Sequence, residues 1–447
     1  MELGGGESEI GGEYKRSVAM KNVIIVAPQF PPSNLAAVHR CRYFAKHLLK
    51  FGWNVQVLTV EPRFYEEKLD NELERLLPPD LEVIRTKAFP ARPLRLIGDI
   101  SIRAFWWQYR ALCRLIRQKK PDLIFISIPP NFLALLGPLI YRKFGIAYVI
   151  DYQDPWTRFW PGCERLFSKA WFSYQLSLIL EPIVLRNVSL VTAVAPGYYE
   201  VALKRYAWFD QSKCLAMPIG AEEDDFRYLK EHPRSAYIYN TCDENFNFVY
   251  AGIMYPSACV TLEALLGGIS VFKRKYPHVA GKLKFHFIGS GVNPSNSKGL
   301  SIEQMVKQSN LSDIVFEYPK RMPYLDVLNH LKAASAIFIL GSSEAHYTPS
   351  KVFQAVVAQR PIFALLHSES TAVEIIKKIN AGIVVTFDEA KRVGSCLEEI
   401  ADAIYQTMTD NFSGEQVNWL AFKAYSAEAV TEKLAKVFDT VAKNNES

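Results

Sequence analysis

The chain has 447 residues, of which 49% are apolar and 22% charged, and its formal net charge is +6. This composition excludes a disordered or fibrous chain and predicts a globular protein of about two or three domains. Seven scattered cysteines without a CxxC pair argue against a disulfide framework or zinc site, and favour a reducing compartment.

The first part of the chain alternates apolar strands with amphipathic helices. Residues 1–20 are rich in Gly and Glu and are predicted to be a disordered extension without a secretory signal. Strand 22–27 leads through a Pro-rich loop into helix 36–51, which Gly52 ends. Further strands are predicted at residues 54–60, 123–128, 147–150 and 189–195.

The second part repeats this pattern after a polar, turn-rich linker at 222–245. Helices are predicted at 262–276, 302–308 and 324–334, and strands at 246–251, 284–288, 314–317, 336–340 and 362–366. Residues 419–447 are helical in pattern with Ser426 as a cap, and are predicted to pack back toward the first domain.

Strands that alternate with helices predict parallel sheets. The fold class is therefore α/β, with two Rossmann-like domains, 21–220 and 221–418, that face each other across a cleft. Because parallel sheets bind ligands beyond the carboxyl ends of their strands, the loops that follow strands are the candidate site. No apolar run of about 18 residues occurs, so no transmembrane helix is predicted.

The segment GSSEAHYTPSK, residues 341–351, is the most informative of these loops. It follows an apolar strand and opens a helix, with Thr348 or Ser350 as N-cap. Lys351 falls in the first helical turn, where free backbone N–H groups and a positive side chain favour phosphate. An ordinary βαβ unit with a polar turn explains the segment equally well.

Four segments together resemble the two-Rossmann (GT-B) glycosyltransferases of the family-4 type. APQFPPSNLAAVHRCRYFAKHLLKFGWNVQVLT is similar to the family's first strand, PP loop and Arg-bearing helix. DYQDPW resembles the D-x-R-D-x-W segment of members that build bacterial surface polysaccharides. AMPIGAEEDDF resembles the family's segment at the boundary between the two domains. TPSKVFQAVVAQRPIFAL is similar to the family's nucleotide-binding helix. The resemblance implies a retaining transferase that uses a nucleotide-diphosphate sugar, and no metal or other cofactor.

The resemblance also implies which residues bind the donor. Gln354 matches the family's ribose-binding glutamate, and His346 matches its earlier glutamate, with Glu344 beside it. Ile253 stands where many members carry a phosphate-binding arginine, so Lys351, nearby amides and Arg321 have to replace it. The donor contacts implied are Gly252, Gly289, Arg321, Met322, His346, Thr348, Ser350, Val352 and Gln354.

On the acceptor side the resemblance implies Asp154, Asp151 and Arg40. Asp154 is expected near the acceptor hydroxyl or the donor sugar, although Asp-Pro-Trp is equally a turn with an aromatic anchor. Arg40 is expected to contact the acceptor or a phosphate, and a solvated helix face is the alternative. Asp154, Lys351 and Arg40 are thus the candidate catalytic residues. Bond breakage needs mainly cations or N–H donors at the leaving phosphate.

Two stretches predict a membrane partner. Residues 90–120 and 156–186 mix Trp, Phe and Leu with basic residues, as amphipathic helices at an anionic lipid surface do. Residues 1–220 carry 29 Lys and Arg against 20 Asp and Glu, which supports this. A core helix whose arginines reach solvent is the alternative. The predicted acceptor is a saccharide or a lipid-linked saccharide at the cytoplasmic face of the plasma membrane.

Other functions compete with this hypothesis. A catalytically degenerate homologue that binds a nucleotide sugar or glycan would explain Ile253 and Gln354. A nucleotide-sugar epimerase shares the two-domain architecture but fits the PP loop and DYQDPW poorly. An NAD dehydrogenase is disfavoured because PQFPP stands where GxGxxG is expected. No nucleic-acid-binding module is recognisable.

Overall fold

The chain folds into two α/β lobes in the computed structural model. The structure describes residues 20–91, 98–159, 162–291, 301–344, 349 and 351–446. The predicted extension thus lies outside the described residues, apart from Met20. Each lobe holds one parallel sheet, which confirms the predicted pair of Rossmann-like domains.

The first lobe contains seven strands and five helices. The strands are β1 (Lys21–Val26), β2 (Trp53–Val60), β3 (Glu82–Thr86), β4 (Leu123–Ile128), β5 (Ala147–Tyr152), β6 (Leu190–Ala193) and β7 (Cys214–Ala216). The helices are α1 (Ala36–His47), α2 (Ile100–Gln118), α3 (Leu136–Phe144), α4 (Lys169–Leu185) and α5 (Gly197–Arg205). The strand order is β3-β2-β1-β4-β5-β6-β7.

The second lobe contains a six-stranded sheet. Its strands are β8 (Phe246–Ala251), β9 (Leu283–Ile288), β10 (Val315–Tyr318), β11 (Ala336–Leu340), β12 (Ile362–His367) and β13 (Gly382–Phe387). The helices after β7 are α6 (Glu223–Glu231), α7 (Cys259–Lys275), α8 (Pro277–Ala280), α9 (Ile302–Gln308), α10 (Tyr324–Ala333), α11 (Lys351–Val357), α12 (Thr371–Ile379), α13 (Leu397–Thr409), α14 (Trp419–Phe422) and α15 (Ala427–Glu446). The strand order is β10-β9-β8-β11-β12-β13.

The central strands are apolar on both sides because helices cover both faces of each sheet. Every residue of β4 is buried, and so is every residue of β11 and β12. In the first lobe, α2 to α5 pack on one face, and α1 packs on the other together with α15. The C-terminal helix α15 thus completes the core of the first lobe, through Leu434 and Phe438.

Several predicted boundaries agree with the structure. The bounds of β4, β8, β11 and α9 are those predicted. Gly52 follows α1 and a short 3₁₀ segment with φ 82°, a conformation that suits glycine and ends the helix. The Ser426 hydroxyl accepts the N–H of Ala429 at 3.1 Å, which confirms it as a cap of α15.

Some elements differ from the prediction. The segment 222–245, predicted as a turn-rich linker, contains helix α6. Strands β3 and β13 and helices α12 and α13 were not predicted individually. Within the described ranges, no helix is both long and apolar enough to cross a bilayer.

Candidate functional site

The carboxyl ends of the two sheets open into one cleft between the lobes. The cleft encloses a cavity of about 270 Å³. Such a cavity, at the strand ends of two facing Rossmann-like sheets, is where a ligand is expected. Of the residues predicted from the sequence, those that line it are Asp154, Gly252, Gly289, Arg321, Met322, Lys351 and Gln354.

Lys351 brings a positive charge to the second-lobe wall of this cleft. Its ammonium lies against Gly252, where a Cβ atom would overlap Nζ, and 5.5 Å from the centre of the Tyr250 ring. No carboxylate forms an ion pair with it among the described residues. Burial, and then the nearby charge of Arg321, lower the pKa of Lys351 to about 7. An anion in the cleft would supply the missing counter-charge.

Arg321 lies in the loop before α10 and reaches across to the first lobe. Its Nη1 donates to the backbone oxygen of Asn34 at 2.7 Å and to its Oδ1 at 3.0 Å. The Asn34 amide in turn donates to the carbonyl of Met322 at 3.0 Å. Hydrogen bonds of Asn34 with Arg321 and Met322 therefore join the two sides of the cleft.

Asp154 is the acidic residue of the first lobe that lines the cleft. Its side chain is open to the cleft but ringed by protein. The surrounding protein removes water from the carboxyl and thereby raises the pKa of Asp154 to about 6. The positive charge of Arg158 lowers this pKa in part, and the negative charge of Glu344 raises it further. Arg158 and Glu344 form an ion pair across the two lobes. A carboxyl with this pKa can exchange a proton near neutral pH.

Arg40 and Asp151 do not line the cleft, which corrects their predicted contact with substrate. Both side chains are 0% exposed. Arg40 Nε lies 2.9 Å from Asp151 Oδ2, and its Nη1 donates to the carbonyls of Met217 and Pro218. Thr192 donates to Asp151 at 2.7 Å. The pair holds α1, β5 and the end of β7 together beneath the cleft.

The start of α11 fits the sequence prediction in part. His346, Thr348 and Ser350 lie outside the described residues, so their roles stay predictions. Val352 is fully buried in the second-lobe core, and its N–H donates to the Pro349 carbonyl at 3.2 Å. The contact predicted for Val352 is one through its backbone N–H and not through its side chain, so it stays a prediction.

Sequence reasoning missed two aromatic residues that join the lobes at the cleft. The His39 ring packs 4.1 Å from the Tyr324 ring, centre to centre, and both line the cavity. Burial, followed by Arg42 and Arg321, keeps the pKa of His39 well below its ordinary value, so the ring is neutral. In the sequence, His39 stands directly before Arg40 on the first helix, and this position beside a candidate site residue is the signal that indicates it.

Tyr324 also connects Gln354 to a buried ion pair. Gln354 Nε2 donates to the Tyr324 hydroxyl at 3.4 Å, and that hydroxyl donates to Asp225 Oδ2 at 2.8 Å. Asp225 forms a buried ion pair with Arg42, whose Nη1 lies 2.8 Å from Oδ1. Asp225 is on α6 and Arg42 on α1, so this network fixes the cleft's rear wall from both lobes. It explains why the supposed linker is a helix.

Metal ligands are not grouped at the cleft. Across the ranges that the structure describes, no three His, Cys, Asp or Glu side chains are placed to hold an ion together. The Lys and Arg side chains that line the described cleft are Lys351 and Arg321.

Comparison with known proteins agrees with this architecture. Residues 36–220 match the family model described as a glycosyl transferase 4-like domain. None of the curated protein sequences compared with the chain matches it significantly.

Three solved structures illustrate the shared fold. Sucrose-phosphate synthase from Thermosynechococcus elongatus aligns with a TM-score of 0.61 at 15% identity, over 95% of this chain and 100% of that one. Anabaena HepE in complex with UDP aligns with a TM-score of 0.58 at 11% identity, over 94% of this chain and 100% of HepE. WaaG, a glycosyltransferase involved in lipopolysaccharide biosynthesis, aligns with a TM-score of 0.56 at 11% identity, over 93% of this chain and 99% of WaaG. At these identities the likeness shows the GT-B fold alone.

Proposed function

We propose that this GT-B chain, whose residues 36–220 match the model of a glycosyl transferase 4-like domain, is a retaining glycosyltransferase. It moves a sugar from a nucleotide-diphosphate sugar to a saccharide or a lipid-linked acceptor in cell-surface polysaccharide synthesis. Two proteins of similar fold support this choice of donor and process: HepE, solved in complex with UDP, and WaaG, a glycosyltransferase involved in lipopolysaccharide biosynthesis.

One observation carries the proposal. Two cations of the second lobe, Lys351 and Arg321, line the same cavity as Asp154 of the first lobe. The cations stabilise the negative charge that develops on the leaving diphosphate. Asp154 hydrogen-bonds the acceptor hydroxyl and takes up its proton. Because side-chain cations supply the charge, the transfer needs no metal.

A screen of nucleotide-sugar donors tests this activity directly. We expect one of UDP-, GDP-, ADP- or dTDP-sugars to be consumed in the presence of a saccharide or lipid-linked acceptor and EDTA. NMR of the product should show the donor's anomeric configuration, as retention requires. Inversion would contradict the retaining mechanism, and loss of turnover in EDTA would contradict metal independence.

A catalytically inactive binder is the second candidate, and two residues favour it. Ile253 is apolar and 41% exposed where the resemblance places a phosphate-binding arginine. Gln354, in place of a glutamate, lacks the charge that strengthens a hydrogen bond to ribose. The binder hypothesis predicts that a nucleotide sugar raises the melting temperature while no acceptor in the screen is glycosylated.

We further propose that the first lobe lies on the inner face of the plasma membrane through α4 and its neighbours. Four apolar residues spaced along one side of α4, Phe172, Leu176, Ile179 and Ile183, are 44–61% exposed. Phe167, just before this helix, is 74% exposed. So much apolar surface on one helix is typical of an interaction face.

Helix α2 contributes mainly charge to this face, together with one exposed aromatic residue, Trp106 (58%). Its apolar side, including Leu112 and Ile116, is buried in the core, as the alternative interpretation of residues 90–120 expected. Residues 92–97 of that stretch lie outside the described residues. The exposed basic residues of α2 and the adjacent α3 are Arg110, Arg114, Arg117, Arg142 and Lys143. Each is worth about 1 kcal/mol near an anionic leaflet.

Flotation with anionic liposomes tests this membrane contact. The wild-type protein should float, and raising the salt should release much of it because screening weakens the charge term. Leu176→Glu with Ile179→Glu should reduce flotation strongly. Val260→Glu, a matched change at an exposed apolar residue of the other lobe, should leave it unchanged. Equal flotation of all three proteins would refute the proposed face.

A further inference from the structure

The proposed diphosphate site lacks a cation at the position where the resemblance implies an arginine. Ile253 follows Gly252 and lines the cleft. An isoleucine cannot neutralise a phosphate, so the charge has to come from elsewhere in the fold.

Arg321 is the residue whose position fits this need. It lines the same cavity as Lys351 and forms no ion pair within the described part of the chain. Its charge already reaches the other side chains of the cleft, since it helps to lower the pKa of Lys351 and of His39. Positive charge is therefore concentrated where a diphosphate would relieve the repulsion.

The contacts of Arg321 come from the opposite lobe. Asn34 accepts from Nη1 through both its backbone oxygen, at 2.7 Å, and its side-chain oxygen, at 3.0 Å. Its amide group also donates to the carbonyl of Met322, next to Arg321, at 3.0 Å. These three hydrogen bonds fix the loop and the guanidinium together, and leave the other N–H groups of Arg321 without a hydrogen bond to described residues.

We propose that Asn34 is a positioning residue that holds Arg321 as the second cation of the diphosphate site. Since Asn34 belongs to the first lobe and Arg321 to the second, the site is complete only when the lobes are closed. Closing the cleft and binding the diphosphate then favour each other, because each stabilises the same placement of Arg321. This inference rests on the proposed donor class.

Calorimetric titration of the full chain with UDP, GDP, ADP and dTDP tests the inference. For the nucleotide that binds, Arg321→Gln should weaken affinity about 10–100-fold, as loss of a charge-assisted contact does. Asn34→Ala should weaken it about 5–10-fold, since the backbone oxygen of residue 34 remains. The matching nucleoside without phosphates should bind all variants equally.

The double variant separates positioning from a general structural effect. If Asn34 acts through Arg321, adding Asn34→Ala to Arg321→Gln should cause little further loss. Glu399→Gln is the control, because Glu399 forms an ion pair with Lys391 (2.6 Å) within the second lobe and outside the cleft lining. It should leave affinity unchanged.

Each outcome bears on a different claim. Additive losses, or an equal loss from Glu399→Gln, would overturn the role of Asn34 while leaving the proposed transferase intact. Unchanged affinity in Arg321→Gln would overturn the role of Arg321. Failure of the wild-type protein to bind any of the four diphosphates would overturn the proposed donor class, and this inference with it.

Discussion

Lys351→Ala should lower kcat about 10²–10³-fold, the usual cost of removing one preorganised donor at a developing negative charge. The ammonium lies in the cleft with Arg321 as its charged neighbour, so the leaving diphosphate loses one of two cations. Steady-state kinetics with the donor identified in the screen measures the loss. The increase in melting temperature that the nucleotide causes should also disappear, because ligand stabilisation depends on affinity.

Two further variants make the Lys351 result specific. Gly252→Ala should reproduce part of the loss, because the new Cβ would overlap Nζ and displace the ammonium. The φ of 145° at Gly252 adds backbone strain, so its melting temperature has to be measured as well. Lys377→Ala, at an exposed lysine on α12, should change neither activity nor stability. Full activity of Lys351→Ala would contradict the proposal that the diphosphate binds at Lys351.

Lys351 and Asp154 could be placed from the sequence because both follow apolar strands. The carboxyl ends of parallel strands meet at one edge, so residues just beyond them converge whichever lobe they come from. The same reasoning failed for Asp151. Strand β5 was predicted to end at Ile150 but continues to Tyr152, which keeps Asp151 inside the sheet and buried. Only two residues separate it from Asp154, which lines the cleft.

Helix direction explains the error at Arg40. Successive residues on an α-helix point about 100° apart. His39 therefore faces the cleft, while Arg40 turns under the sheet to meet Asp151. The sequence showed a helix with several charged residues but not which one faced inward, because a buried ion pair and an exposed arginine have the same local pattern.

Helix α6 was not predicted from the sequence for a related reason. Its residues, EDDFRYLKE, are mostly polar, with two of nine buried. The helix makes contacts that are distant in sequence, among them the Asp225–Arg42 ion pair and the packing of Leu229 in the second-lobe core. Propensity and hydrophobic period are weak guides when tertiary contacts decide the conformation. The cross-cleft bonds of Asn34 were equally invisible, since they join residues almost 300 positions apart.

The pH dependence of kcat/KM should be bell-shaped, with limbs near pH 6 and pH 7. In the free enzyme Asp154 acts when ionised, so activity rises as pH passes its raised pKa of about 6. Lys351 acts when protonated, so activity falls as pH passes its lowered pKa of about 7. The optimum therefore lies between the two values, where most molecules carry both charges.

Substitution of Asp154 or Lys351 should remove the limb of the pH profile that its ionisation produces. Asp154→Asn should lower kcat/KM about 10²–10⁴-fold, the usual contribution of a positioned base, and abolish the acidic limb. Lys351→Arg keeps a charge that does not titrate below about pH 12, so its residual activity should lose the basic limb. Persistence of the acidic limb in Asp154→Asn would assign that ionisation to another group. Asp154 would then serve to bind the acceptor rather than to take up its proton.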